Sequence, residues 1–126
     1  DVVADILVWF SQRMAFLKEA GVRDIILDPG FGFGKNADHN FEMLRRFSEF
    51  RIAGMPLVAG LSRKTMVWRT LGITPELALN GTTALNMAAL MKGASILRVH
   101  DVREAIQVVS LCEKIYPTGM QFDHSS

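Results

Sequence analysis

Cysteine is nearly missing from this chain of 126 residues, where Cys112 stands alone. A lone thiol excludes internal disulfides and a cysteine zinc cluster, and it fits a reducing, cytoplasmic setting. In "VVSLCEKI" it lies at helical spacing from Val108 and Val109, which predicts a buried, inert side chain. Charge of one sign is also lacking. Lys and Arg number 14 against 13 Asp and Glu, for a net charge of +1, so neither nucleic acid nor an anionic membrane is expected as a partner. No apolar run approaches the roughly 20 residues of a transmembrane helix, and no cleavable signal is visible. The opening "DVVADILVWF" lacks an initiator methionine, so we expect residues upstream. What is present, 49% hydrophobic and 21% charged residues, is the balance of one globular domain able to bury a core.

Apolar residues at Val3, Leu7, Phe10, Met14 and Leu17 predict an amphipathic helix over Val3–Ala20, closed by Gly21. Trp9, Met14 and Phe16 read as core packing. "DIILD" reads as a buried strand that stops at Asp28-Pro29, because proline cannot donate to a ladder. Asp38 can cap a helix whose buried stripe is Phe41, Leu44 and Phe47. "PLVAG" predicts a second strand, and Ser62 in "SRKTMVWRTLG" caps a third helical pattern. The pattern resumes after Pro75, with Gly81 as a possible break, before "SILRV" as a third strand. Asp101 and Glu104 have capping-box spacing for a last helix over Val102–Ile115. Short apolar strands alternating with amphipathic helices predict an α/β fold whose parallel sheet is covered on both faces. A Rossmann-like sheet and a TIM barrel both satisfy that order.

Polar residues collect where each strand ends: Asp28, then Ser62, Arg63 and Lys64, then Arg98 and His100. In parallel α/β folds that edge carries active sites. Gly30, Gly32 and Gly34 have G-x-G-x-G spacing, which misses the dinucleotide fingerprint, and Pro29 and Asn36 break a P-loop. A carboxylate facing cations remains. Asp28 can accept two parallel hydrogen bonds from a planar heterocycle, and Lys64 can donate to the same ring. Arg98 and His100, two apart on one strand, can hold a phosphate or pyrophosphate. Ser62 precedes a helix start that attracts a carboxylate. Plainer readings stay open: an Asx turn at Asp28, a solvated helix start at Arg63 and Lys64, a histidine satisfied beside Asp101.

At these residues the sequence resembles dihydropteroate synthase. "LDPGFGFGKN", "GLSRKTM" and "RVHDV" are similar to three signatures of that family, in order, and the resemblance runs from about residue 2 to residue 116. It implies a pterin-binding TIM (β/α)8 barrel of which the chain covers the last three strand–helix units, helix five to helix eight. Residues 1–116 would form that half-barrel and 117–126 a tail. The implied reaction joins 6-hydroxymethyl-7,8-dihydropterin pyrophosphate to p-aminobenzoate and releases pyrophosphate, in folate biosynthesis. Asp28, Gly60, Lys64 and Arg98 would hold the pterin; Arg98 and His100 the pyrophosphate; Phe33, Ser62, Arg63 and Thr65 the p-aminobenzoate. Asp28, Lys64, Arg98 and His100 form the implied catalytic set. Thr65 stands where many members have serine. Magnesium is implied, with its protein ligand outside this chain. The family's earlier strands supply further pterin contacts, so the chain alone is expected to be inactive, and to pair with a second copy or with the missing half. Alternatives are another pterin barrel of the methyltetrahydrofolate methyltransferase type, and a non-catalytic half-barrel used for assembly.

Overall fold

Asp1 opens the first helix by accepting hydrogen bonds from the Val3 and Ala4 amides at 3.0 and 3.2 Å. That helix, α1, spans Val2–Glu19. The computed structural model describes residues 1–32 and 35–117; Phe33, Gly34 and most of the expected tail lie outside the described residues. Helix α1 buries Val3 and Phe10, with Leu7, Met14 and Leu17 packed beside them. Trp9 and Phe16 do not join the core. They are 53% and 62% exposed, because they share a side of the helix away from the buried stripe. Arg13 lies over the Trp9 ring instead, 5.5 Å from its centroid.

The "DIILD" segment contributes less strand than expected. Only Leu27 enters the ladder, as a parallel bridge to Leu57 held by Leu27 N–H to the Pro56 carbonyl at 2.9 Å. The regular sheet is β1, Val58–Ala59, beside β2, Ile96–Leu97, parallel and in the register Val58 to Ile96 and Ala59 to Leu97. Leu27, Leu57, Ala59 and Leu61 turn toward the helices and are buried. Ile26 and Ile96 face the other way and stay exposed. Among the described residues the sheet is thus covered on one face, where cover on both was expected.

Helix α2, Ala37–Arg45, is capped by Asn36, whose side chain accepts from the His39 amide at 2.8 Å. The expected cap, Asp38, lies in the first turn, where a carboxylate favours the helix dipole. A 3-10 helix, Phe47–Ala53, follows. Phe10, Phe50, Phe47 and Phe31 make a continuous aromatic chain through the core, with centroids 5.7–6.1 Å apart. Arg46 gathers Asp1, Glu42 and Glu49 around one guanidinium, which joins α1, α2 and the 3-10 helix at the surface.

Helix α3, Thr65–Leu71, begins at Lys64 with no side-chain cap, so the expected serine cap is not made. Pro75–Leu77 is a short 3-10 turn, and α4 runs unbroken over Leu79–Met91. Gly81 does not break α4. A Cβ there would stand 2.6 Å from Val67 Cγ1, so glycine lets α3 and α4 close on each other. Helix α5, Val102–Ile115, has the expected bounds, but Asp101 makes no cap bond because its carboxylate is used elsewhere. Cys112 is buried on α5, and burial pushes its thiol above the ordinary cysteine range. No helix among the described residues is long and apolar enough to cross a membrane.

Gly81→Ala separates packing from propensity. Helix propensity alone favours alanine by about 1 kcal/mol, whereas a forced overlap with Val67 costs about 1–3 kcal/mol. Urea unfolding should show a lower midpoint for the variant. A raised midpoint would mean that α3 and α4 are not in close contact.

Candidate functional site

The chain leaves the sheet at one rim in three places: after Leu27, after β1 and after β2. At the first, Pro29 ends the extended run, and Asp28 Oδ1 accepts from the Gly30 amide at 2.9 Å. This is the Asx turn that the spacing allowed. Gly30 and Gly32 both have positive φ, +78° and +91°, which a side chain would strain. Lys35 Nζ donates back to the Gly30 carbonyl at 3.0 Å, and Asn40 accepts from the Gly32 amide at 2.9 Å. Gly30 is therefore tied to Asp28 and Lys35, and Gly32 to Asn40.

The other oxygen of Asp28 receives Arg98 Nη1 at 2.6 Å, across 70 residues of sequence. Gly60 makes this reach possible. A Cβ on Gly60 would stand 2.5 Å from Arg98 Nη2, so the guanidinium crosses directly over the glycine backbone. Arg98 thus lies in the space that a side chain at position 60 would fill. Both partners of the pair remain partly exposed, which keeps its net contribution to stability within about 1 kcal/mol.

Beyond the ladder, the next residues stay paired by their side chains. Ser62 Oγ is 2.8 Å from His100 Nδ1 and also accepts from the His100 amide at 3.1 Å. Arg63 makes two bonds to Asp101, Nε to Oδ2 at 3.2 Å and Nη2 to Oδ1 at 2.8 Å. Arg63 has φ of 53°, a left-handed conformation rare outside glycine, and its amide donates to Thr82 Oγ1 at 3.1 Å. The hydrogen bonds it donates to Asp101 hold the Arg63 guanidinium above the ordinary arginine range. Thr82 was not a candidate in the sequence, and Asp101 was read as a helix cap, since partners this distant leave no local spacing to read.

Lys64 points away from this pairing, toward the glycine loop. Its Nζ lies 3.8 Å from where a Cβ on Gly32 would be. Lys64 and Thr65 line a cavity of about 400 Å³ together with Phe31, Gly32, Lys35 and Arg69. Its lining holds three cations and no carboxylate, which suits an anionic ligand. Lys35 and Arg69 are further residues to which the sequence reading gave no role at the site. Asp28 also borders a second cavity of about 650 Å³, against Trp9 and Phe10 of α1. The structure therefore brings Asp28, Gly60 and Arg98 together, sets Ser62 on His100, and places Lys64 and Thr65 in an adjoining cavity. Among the described residues no group of three or more His, Cys, Asp or Glu side chains is placed to hold a metal ion.

Residues 1–100 match the family model described as pterin binding enzyme. The dihydropteroate synthase of Escherichia coli (strain K12) is 41% identical over 115 residues, which are 90% of this chain and 41% of that protein. Among solved structures, the Yersinia pestis dihydropteroate synthase with a sulfonamide drug superposes with a TM-score of 0.89 at 38% identity, over 91% of this chain and 43% of that one. The Thermus thermophilus enzyme in complex with 6HMPPP gives 0.87 at 39% identity, over 92% and 47%. The chain thus spans less than half the length of these relatives.

Gly60→Ala probes the rim directly. The added methyl meets the end of a flexible side chain, so Arg98 should swing off Asp28 while the fold persists. The Arg98 Nε–H resonance should shift, and unfolding free energy should fall by no more than about 1 kcal/mol. An unmoved resonance would place Arg98 away from Gly60.

Proposed function

The chain belongs to the pterin-binding enzyme family, and from that membership we propose that it is the C-terminal half of a dihydropteroate synthase barrel. The described strand segments would be strands six, seven and eight, followed by a tail from residue 117. Its substrates would be the pyrophosphate ester of a hydroxymethyl-dihydropterin and p-aminobenzoate. The observation that carries the reading is the Asp28–Arg98 contact at 2.6 Å, which joins an acid and a base from distant signatures at one rim.

Asp28 presents a carboxylate to the guanidine-like edge of the pterin, and Lys64 donates to the same ring. In the free chain Arg98 occupies Asp28, so the incoming ring takes the place of a guanidinium. Arg98 is then released to lie against the ring and, with His100, to hold the pyrophosphate. The carbon–oxygen bond from the methylene breaks, and its electron pair leaves with the pyrophosphate. The amine nitrogen of p-aminobenzoate supplies the pair for the new carbon–nitrogen bond, and its proton passes to solvent. The protein positions both partners and stabilises departing negative charge. Thr65, at the start of α3, and Phe33, outside the described residues, are the proposed p-aminobenzoate contacts. Ser62 and Arg63 share that assignment by resemblance only, since their polar heads are bonded to His100 and Asp101. Magnesium finds no cage of protein ligands among the described residues, and no step here runs through it.

A second reading draws on the exposed face of the sheet. Ile26 and Ile96 leave an apolar row that a barrel would enclose, so the chain would associate with the rest of a barrel or with a second copy. In the extreme it serves assembly alone. Calorimetry with the pterin pyrophosphate separates the two. A binding half-site should lose at least tenfold in affinity on Lys64→Ala, as expected for one charge-assisted hydrogen bond. Absence of binding by the unaltered chain would favour the scaffold. Turnover with both substrates and Mg²⁺ should be close to nil for the chain alone, and robust product would overturn the half-site assignment.

A further inference from the structure

Ser62 fits its implied contact with p-aminobenzoate poorly. It is only 5% exposed, and one residue engages its hydroxyl twice. A serine hydroxyl has one proton and two lone pairs. One lone pair receives the His100 backbone N–H, which leaves two directions for the contact with Nδ1. If Nδ1–H donated, the hydroxyl proton would need another acceptor, and no other partner of Ser62 exists among the described residues. A buried hydroxyl without an acceptor is the costly arrangement. With the hydroxyl donating to Nδ1, the hydroxyl proton, the lone pair facing the His100 amide and Nδ1 are all paired. The imidazole then carries its proton on Nε2, the nitrogen on the far side of the ring, and His100 is an exposed residue.

We propose that Ser62 is a positioning residue for His100: it locks the ring in its Nε2–H form and keeps that donor available at the rim it shares with Arg98. The inference rests on the reading in which Arg98 and His100 receive the pyrophosphate. A neutral His100 so held already offers a hydrogen bond to an anion, without waiting for a second proton. Arg63 shows the same pattern one residue on, where Asp101 occupies its guanidinium. Of the "SRK" triplet, only the lysine head reaches a cavity that the glycine loop also lines.

Long-range 1H–15N NMR of the full chain at alkaline pH, where imidazole is neutral, reads the tautomer directly. The unaltered chain should show protonated Nε2 and bare Nδ1. Ser62→Ala should show a mixture of both forms, and Ser62→Thr, which keeps the hydroxyl, should recover the single form. Inorganic pyrophosphate should bind about three- to tenfold more weakly to Ser62→Ala by calorimetry, with p-aminobenzoate unaffected. Protonated Nδ1 in the unaltered chain, or a single tautomer surviving in Ser62→Ala, overturns the proposal. So does weakened p-aminobenzoate with pyrophosphate unchanged. If the unaltered chain binds no pyrophosphate, the functional reading fails on its own, and the tautomer still decides what Ser62 does.

Discussion

Val58 pairs with Ile96 and Ala59 with Leu97, and this offset of 38 residues carries on past the last backbone hydrogen bond. Ser62 meets His100 and Arg63 meets Asp101 at the same offset, with side chains standing in for the ladder. The register also sets Gly60 beside Arg98. A side chain at position 60 would block the guanidinium, whereas glycine opens a path across β1 to Asp28. A slip of one residue would turn Arg98 and His100 toward the helices and bring Leu97 to the rim. The polar site therefore depends on apolar residues: Leu57, Ala59 and Leu97 hold the register by packing against the helices.

Much of this was legible in the sequence where local periodicity decides the structure. The stripes of α1 and α5 and the breaks at Gly21 and Pro29 follow from side-chain spacing and backbone chemistry alone. The meeting of three strand ends was legible too, since parallel strands in α/β units put those ends on one edge. Failures arose where a distant partner displaced a local one. Ser62 and Asp101 have the chemistry of helix caps, yet each makes a tertiary bond instead. Gly81 has the chemistry of a break, and close packing against Val67 keeps it inside a helix. Trp9 and Phe16 are apolar enough for a core, but sequence does not say which neighbours are there to receive them. Ile26 raises the same point for the sheet. Its strand reads as buried on both faces, and only the helix-covered face is buried here.

The Asp28–Arg98 pair engages both an acid and a base of the rim in the free chain. Asp28 is a carboxylate at the rim, and a cation from the same chain holds it. A partly exposed ion pair of this kind is worth little in net stability. Under the proposed function that weakness would be useful, because a ring offering two parallel donors would exchange against it at low cost and leave the guanidinium available to an anion on the same substrate. Ring recognition and anion recognition would in this way be linked through one side chain. A site with a free Asp28 and a separate anion-binding arginine would lack that coupling.

Backbone strain at Arg63 sorts the side chains that follow Leu61. A left-handed non-glycine residue costs of order 1 kcal/mol, and it persists here because three hydrogen bonds hold it: two from its guanidinium to Asp101 and one from its amide to Thr82. The conformation sends three consecutive side chains to three destinations. Ser62 turns to His100, Arg63 to Asp101, and Lys64 to the cavity beside Gly32. In an extended strand, Ser62 and Lys64 would share a side and compete for the same space. The left-handed turn separates the residue bonded to the histidine from the residue that lines the cavity. Glycine would adopt this turn without strain but would lose the tie to Asp101.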